Sequence, residues 1–258
     1  DTLLFERDSH SVQLTESGER LLPLAKRTLM DAVTCMDTVN DLKKMLSGSL
    51  NIGITYTFAP ILTETVIAFT KAHPAVKLNI FYKTMEELMS MLEKRELDFV
   101  LSFKPSSVHP AIESHVLFDN NLSVIVNRYH PLAEKEKITL QDILPHGIAM
   151  PAKGLQSRNE FDKLYPSAYN QMKVRMELNE VNVLLDIVRG SSLITILSEA
   201  VIHQTNGLVA IPFDVPDNIM VGCVHTERGA YRKKAAEEFI RMLQESEAVR
   251  ERAIQWLE

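Results

Sequence analysis

The sequence predicts an α/β protein with two doubly wound lobes joined by two crossovers, preceded by a short hairpin and a long helix. Strands alternate with helices after residue 49, the apolar residues before it repeat every seven positions, and Ser47-Gly48-Ser49 separates the two patterns. The chain has 258 residues, of which 45% are hydrophobic and 24% charged. This composition is ordinary for a globular protein, and the length suffices for one large domain or two smaller ones.

The opening segment LLFERDSHSVQL, residues 3–14, predicts a small hairpin that has no core of its own. Thr15 can cap the helix that follows, and Glu16 is favourable in its first turn. The helix is expected to run to about Leu46. Pro23 lies inside it and should remove one hydrogen bond or bend the helix.

The apolar residues of this helix follow a seven-residue repeat. The predicted seam consists of Leu22, Leu29 and Met36 at one heptad position and Ala25, Ala32, Val39 and Leu46 at the other. A period of about 3.5 residues indicates a helix that pairs with a copy of itself. A helix packed on its own globular core is the alternative, and Lys43 interrupts the first series.

After the linker, buried strands alternate with amphipathic helices. The predicted strands are 50–55, 76–81, 97–103, 115–119, 122–127, 147–151, 173–178, 193–197, 208–213 and 219–226. The predicted helices are 59–74, 85–96, 159–164, 181–189, 198–204 and 231–257. This alternation predicts parallel sheets covered by helices on both faces. The chain is expected to cross to the second lobe near 122–128 and to return near 219–226.

Several functional classes are disfavoured by the sequence. The net charge is −6, and Cys35 and Cys223 fit no metal or redox spacing, so they are read as reduced thiols. The opening residues do not resemble a signal peptide, and no apolar run approaches the roughly 18–20 residues of a membrane span. These features predict a cytoplasmic protein without a membrane partner. Nucleotide loops, nucleophile elbows and histidine pairs with metal-ligand spacing are absent, so we predict that it is not an enzyme and holds no cofactor or metal.

Four segments resemble the LysR-type transcriptional regulators. Residues 3–29, LLFERDSHSVQLTESGERLLPLAKRTL, resemble the wing and the start of the linker helix of that family. GSLNIGIT at 48–55, ELDFVLSF at 96–103 and NRYHPLAEKEKITLQDI at 127–143 resemble segments of its effector domain. The resemblance spans essentially the whole chain, and it implies a fold like that of periplasmic solute-binding proteins, with a ligand cleft between two lobes.

The resemblance implies a domain organisation. Residues 1–14 would be the wing remnant of a winged helix-turn-helix, 15–48 the dimerisation helix and hinge, and 49–258 the effector-binding domain. Within the latter, lobe I would comprise about 49–122 and 226–258, and lobe II about 123–225. The dimerisation helix implies a homo-oligomer, a dimer or a tetramer.

The resemblance also implies that a three-helix DNA-binding unit precedes the hairpin. A truncated chain, a misassigned start and a natural remnant are all compatible with the sequence. Residues 1–48 hold six Lys and Arg against eight Asp and Glu, so DNA binding is expected only together with the preceding helices. In the intact protein, Arg7, Ser9 and His10 of the wing would contact the DNA backbone; a solvated turn is the alternative.

Candidate effector-binding residues lie where strands end and helices begin, since helix N-termini expose free N–H groups. The first group is Thr55, Tyr56 and Thr57, before a helix led by Pro60, where hydroxyls and amides could hold a small anion. The alternative is a plain helix cap by Thr57. The other candidates are Ser102, Phe103, Gln156, Ser157, Arg158, Asn182 and Ser198.

Arg158 could pair an effector carboxylate with two hydrogen bonds, although a surface salt bridge explains it equally well. Around VRGSSLITILSEAV the family usually has a second glycine and a proline, where this chain has Ser192 and Leu197. The rim of the cleft should therefore differ from that of relatives. The sequence predicts a regulator controlled by a small-molecule, anionic effector; a cytosolic binding module without DNA function is the alternative.

Overall fold

The computed structural model describes residues 2–8, 11–42, 46–105, 110–202, 206–216 and 218–254. Its strands are β1 Phe5–Arg7, β2 Val12–Leu14, β3 Gly48–Ile54, β4 Val76–Tyr82, β5 Phe99–Phe103, β6 Ile112–Asn120, β7 Leu122–Asn127, β8 Gly147–Pro151, β9 Lys173–Leu178, β10 Thr195–Ser198, β11 Leu208–Pro212 and β12 Met220–Glu227. Its helices are α1 Glu16–Leu42, α2 Ala59–Ala72, α3 Met85–Glu93, α4 Leu140–Ile143, α5 Gln156–Leu164, α6 Val181–Arg189, α7 Lys234–Glu245 and α8 Glu247–Ile254.

Strands β1 and β2 form the predicted antiparallel hairpin, which leads directly into α1. The Thr15 hydroxyl accepts from the Gly18 amide at 3.1 Å and donates to the Leu3 carbonyl at 2.8 Å, so it caps α1 and ties it to the hairpin. A Cβ at Gly18 would lie 2.2 Å from the Leu4 carbonyl oxygen, so this approach requires glycine. Helix α1 continues through Pro23, and residues 43–45 lie outside the described part.

The first lobe contains a five-stranded sheet of order β4-β3-β5-β12-β6. Strands β4, β3 and β5 run parallel, whereas β12 pairs antiparallel with both β5 and β6. Helices α2 and α7 pack on it through Phe69 and Phe239, whose ring centroids are 5.1 Å apart. Phe99 of β5 lies 5.7 Å from Phe239, which places this aromatic cluster in the core.

The second lobe repeats the pattern. Strand β7 lies between β10 and β11, antiparallel to both, and β8 pairs parallel with β9. A parallel bridge from Ile148 of β8 to Ile194, the residue before β10, joins these two sets of strands into one mixed arrangement. Its core includes Ile125 of β7 together with Leu185 and Val188 of α6.

The chain passes between the sheets twice, once between β6 and β7 and once between β11 and β12. Asn218 is buried beside both passages. Its side-chain oxygen accepts from the Leu122 amide at 2.9 Å, and its nitrogen donates to the Leu122 and Phe213 carbonyls at 2.9 and 3.1 Å. These three hydrogen bonds connect the two crossovers to each other.

Three elements differ from the prediction. The sheets are mixed rather than parallel, because a strand that has crossed from the other lobe enters in the opposite direction. The predicted helix 198–204 is a short 3-10 turn over Glu199–Ile202, and residues 203–205 lie outside the described part. The single C-terminal helix is broken at Ser246, whose backbone is extended (ψ 149°) and whose hydroxyl donates to the Leu243 carbonyl.

Candidate functional site

The candidate site lies between the lobes, where β3 and β5 of the first sheet end opposite the N-terminus of α5. The first lobe contributes Thr55, Tyr56, Thr57, Lys83, Thr84 and Met85, and the second lobe contributes Gly154, Leu155, Gln156, Ser157, Val181 and Leu197. The space between them is only about 10 Å³, roughly that of a single water molecule. At this point the two lobes touch each other, whereas cavities of about 290 and 980 Å³ open beside it, both lined by Met85 of the first lobe and Asn159 of the second.

The threonine loop, residues 55–57, forms the first-lobe wall of the cleft. Thr55 and Thr57 are buried, and their hydroxyl oxygens are 3.5 Å apart. The Thr55 amide donates to the Leu101 carbonyl, which fixes the loop on β5, and Pro60 lies in the first turn of α2. Two hydroxyl donors beside the start of a helix suit a small anion, because the first turn leaves backbone N–H groups free of intrahelical partners.

Tyr56 of the same loop reaches the other lobe. Its ring stacks on Tyr82 with centroids 5.8 Å apart, and it also packs against the second-lobe cluster that includes Val181 and Leu197. Tyr56 therefore lies at the lobe interface, and its contact area depends on lobe closure.

Gln156 connects the lobes by a pair of hydrogen bonds. Its Nε2 donates to the Phe103 carbonyl at 3.1 Å, and its Oε1 accepts from the Phe103 amide at 3.3 Å. We call this pair the Gln156 clasp. Both residues were predicted to be site residues, but the contact between them was not. It occupies both backbone groups at the end of β5, so an effector that separates the lobes must break it.

Two predicted serines of the second lobe, Ser157 and Ser198, form a buried network with Asn120 at the end of β6, where the chain leaves the first lobe. The Ser198 amide donates to Ser157 Oγ at 3.2 Å, and Ser198 Oγ donates to Asn120 Oδ1 at 2.6 Å. Asn120 was not predicted to be a site residue. The pair Asn120-Asn121 between two predicted strands could have pointed to it. Asn120 Nδ2 is buried and has no hydrogen-bond partner among the described residues. An unsatisfied buried donor beside Ser198 is a further candidate contact for an acceptor group.

Ser102 lies beneath the cleft rather than in its wall. Its hydroxyl is fully buried and donates to Met85 Sδ at 3.0 Å and to the Phe103 carbonyl at 3.3 Å. The Ser102 carbonyl faces His225 Nε2 at 3.4 Å. Burial lowers the pKa of His225 to about 4, so this ring is neutral at pH 7. The floor of the cleft is therefore uncharged at this point.

Arg158 is placed differently from the prediction. Its guanidinium is almost completely buried within the second lobe and pairs with Asp162 at 2.9 Å and with Glu177 at 3.2 Å. It also donates to the Pro151 carbonyl at 3.1 Å and lies 4.5 Å from the centre of the Tyr169 ring. Arg158 does not line the cleft, and these contacts make it an internal brace between α5 and β9.

The remaining predicted residues lie outside the cleft. Asn182 is exposed and donates to Glu180 at 3.1 Å. Arg7 is exposed on the hairpin, whereas Ser9 and His10 lie outside the described residues. The seam residues on α1 face solvent in the single chain, with Leu29 68% and Met36 66% exposed. An apolar surface of this kind is what a second copy of the helix would cover. Leu46 was predicted to belong to the seam, but it lies beyond the end of α1 and packs against the hydrophobic core.

No helix within the described ranges combines the length and apolarity required to cross a membrane. In the same part of the chain, no cluster of three or more His, Cys, Asp or Glu side chains is arranged to hold a metal ion. The buried Cys223 thiol has its pKa raised to about 11 by burial, so it is a poor nucleophile.

Two α/β lobes, two crossovers and an interlobe cleft define a small-molecule-binding domain of the periplasmic-binding-protein type. The sequence model of the LysR substrate binding domain matches residues 43–248, and the chain therefore belongs to the LysR family of transcriptional regulators. Among its relatives is the RuBisCO operon transcriptional regulator of Allochromatium vinosum, which is 25% identical over 250 residues, covering 93% of this chain and 82% of that protein.

Solved structures of this family share the fold. The Synechocystis PCC6803 CcmR regulatory domain in complex with 2-PG superposes with a TM-score of 0.67 at 20% identity, covering 77% of this chain and 97% of that one. A full-length OxyR variant from Pseudomonas aeruginosa superposes with a TM-score of 0.72 at 19% identity, covering 96% of this chain and 82% of that one.

Proposed function

We propose that this chain is the effector-binding and dimerising part of a transcription regulator that takes a small anionic effector between its two lobes. The observation that carries the proposal is the arrangement of polar groups on the two facing walls of the cleft. It brings the Thr55 and Thr57 hydroxyls to the start of α2, opposite Gln156 and Ser157 at the start of α5. The CcmR domain, which shares the fold, was solved with 2-PG, a small anion.

The effector is expected to bind a more open arrangement of the lobes. The threonine loop leaves only about 10 Å³ against the second lobe, so an effector that contacts Thr55 and Thr57 must part the lobes there. Opening would break the Gln156 clasp and separate Tyr56 from the second lobe, and the effector would replace these contacts by hydrogen bonds to the freed groups. A ligand that binds one arrangement better than the other shifts the population between them, and this shift would be the signal passed to DNA.

Replacing Thr57 by Val is expected to weaken effector binding about tenfold, because it removes one buried hydroxyl hydrogen bond at nearly constant shape. The probes are small carboxylates and phosphorylated carboxylates, including 2-PG, and the readout is titration calorimetry on the purified chain. Thr63→Val is the matched control, since Thr63 is exposed on α2 and its hydroxyl bonds only to the Ala59 carbonyl. Equal affinities for both variants and the wild type would remove the Thr57 hydroxyl from the site.

The DNA part of the proposal needs a separate measurement. A salt-titrated gel shift on DNA flanking the gene compares this chain with a version extended by its upstream codons. We expect the extended protein to shift a specific fragment, with affinity falling steeply as salt rises. Effector binding without any specific shift by the extended protein would favour the alternative, a binding module without DNA function.

A further inference from the structure

We propose that Arg95 is the positioning residue that sets the orientation of helix α1 on the first lobe, by binding Asp31 of α1 and Glu227 of β12 with one guanidinium. The proposal concerns how α1 is held rather than which effector binds. It therefore stands apart from the proposed function and can be tested without ligand or DNA.

The backbone at Arg95 is the first observation. Helix α3 ends in a Schellman motif: the Arg95 amide donates to the Leu92 carbonyl at 3.0 Å, and the Glu96 amide donates to the Met91 carbonyl at 2.9 Å. Arg95 occupies the left-handed position of this motif, with φ +60°. Glycine is the usual residue there, because a Cβ makes this conformation unfavourable. Among the described residues, no other non-glycine residue has a positive φ.

The side chain supplies the reason for an arginine at this position. Nε donates to Glu227 at 2.8 Å and Nη2 donates to the same carboxylate at 3.1 Å, while Nη1 donates to Asp31 at 2.8 Å. Arginine presents its donors in a fixed planar fork, so it can hold two carboxylates at once, which a lysine cannot do with the same geometry. The hydrogen bonds to Glu227 first, and those to Asp31 second, raise the pKa of Arg95, so the bridge is charged at any physiological pH.

The two carboxylates belong to different parts of the fold, so the bridge links the helix to the first lobe. Asp31 lies near the middle of α1, and Glu227 is the last residue of β12, the strand that brings the chain back from the second lobe. A cavity of about 300 Å³ lies between α1 and the first lobe beside the bridge, lined by Met30 and Thr34 of the helix and by Asn51 of β3. Because this contact is loosely packed, the Arg95 bridge rather than close apolar packing defines where α1 lies.

Arg95 binds the face of α1 that is turned toward the first lobe, and the seam lies on another face. Met30, Asp31 and Thr34 are within one turn of each other and face the first lobe, whereas Leu29 and Met36 of the seam are largely exposed. One face of α1 is therefore held by Arg95 while another is free to pair with a second copy. A change in the position of β12 would be passed through Arg95 to α1 and hence to whatever α1 orients.

The experiment measures the distance between α1 and the first lobe by double electron–electron resonance. Cys35 is exposed on α1 and takes one spin label, while Cys223 is buried with its thiol pKa raised to about 11 and stays unlabelled. A second label is introduced as Gln244→Cys on the exposed face of α7. Labelled chain is mixed with an excess of unlabelled chain, so that only distances within one chain are recorded.

We expect one narrow distance distribution for the wild type, and a broadened or shifted one for Arg95→Gly and for Asp31→Ala. Arg95→Gly should leave the thermal midpoint close to that of the wild type, because relief of the left-handed backbone offsets the lost hydrogen bonds and the greater freedom of the unfolded chain. Asp31→Ala keeps the Arg95–Glu227 pair and removes only the acceptor on α1. Lys94→Gly, at the neighbouring exposed position, is the control and should leave the distribution narrow.

The proposal is overturned if both bridge variants fold and keep the narrow wild-type distribution. It is also overturned if Lys94→Gly broadens the distribution as much as Arg95→Gly does, because the helix end and not the guanidinium would then set the orientation. Should Arg95→Gly fail to fold, Asp31→Ala alone decides. None of these outcomes depends on whether an effector binds in the cleft.

Discussion

Replacing Arg158 by Ala is expected to lower the free energy of unfolding by about 3 kcal/mol. The substitution leaves the Pro151 carbonyl without its donor and removes the cation shared by Asp162 and Glu177. It also empties a fully buried volume beneath α5 and takes away the cation stacked on Tyr169. Both carboxylates are partly exposed, so water can solvate them once the guanidinium is gone. The loss of stability is therefore expected near the lower end of the range for broken buried ion pairs.

Urea unfolding of Arg158→Ala and of the exposed neighbour variant Asn159→Ala measures this effect. Asn159→Ala should stay within about 0.5 kcal/mol of wild type, as is usual for surface substitutions. At urea concentrations below its unfolding transition, Arg158→Ala should bind the same small anions with the affinity of the wild type. A stable Arg158→Ala variant that no longer binds any of them would instead return Arg158 to the cleft as an effector ligand.

A double substitution in the seam, Leu29→Glu with Met36→Glu, is expected to convert a dimer into a monomer. In a helix pair these residues would face their own copies, so four carboxylates would enter an apolar interface in place of four apolar side chains. The expected cost is about 3 kcal/mol or more, which is at least about a hundredfold in the dissociation constant. In the single chain both residues are largely exposed, so the fold of the protomer should be unaffected.

Sedimentation equilibrium across a range of protein concentrations gives the oligomeric state, and far-ultraviolet circular dichroism reports the fold. Arg27→Glu is the control, because it adds a carboxylate at an exposed position of α1 outside the seam. If the seam variant sediments as the wild type does, the helix does not pair through these residues. If the control also dissociates, the effect is one of net charge rather than of the seam.

The cleft could be anticipated only in part. The threonine loop and the residues at the start of α5 were predicted because strand ends and helix starts are recognisable from local sequence. The contact of the lobes at the threonine loop, the Gln156 clasp and the role of Asn120 were not predicted. Gln156 and Phe103 are 53 residues apart, and their contact depends on how one lobe rests on the other. The spacing of apolar residues within one helix or strand carries no information about such a contact.

Arg158 illustrates the limit most clearly. It was assigned to the cleft because it stands at a helix start beside Gln156. The rotation of α5 is set by the burial of Phe161, and Arg158 lies three residues before it on the same face. Arg158 therefore turns inward while Gln156 faces the first lobe. The spacing to Phe161 was a usable signal, but weighing it required knowing which side of α5 the core occupies.

The sequence by itself determined the order of strands and helices, the cap at Thr15, the exposed seam of α1 and the family. Each of these depends on signals that repeat within a few residues or on motifs read in one segment. The tertiary structure decided the direction of the strands that return between lobes, the contact of the lobes at the threonine loop and the bridge from Asp31 through Arg95 to Glu227. These arise from residues 64 and 132 positions from Arg95, or from opposite lobes, and only the packing of the whole chain brings them together.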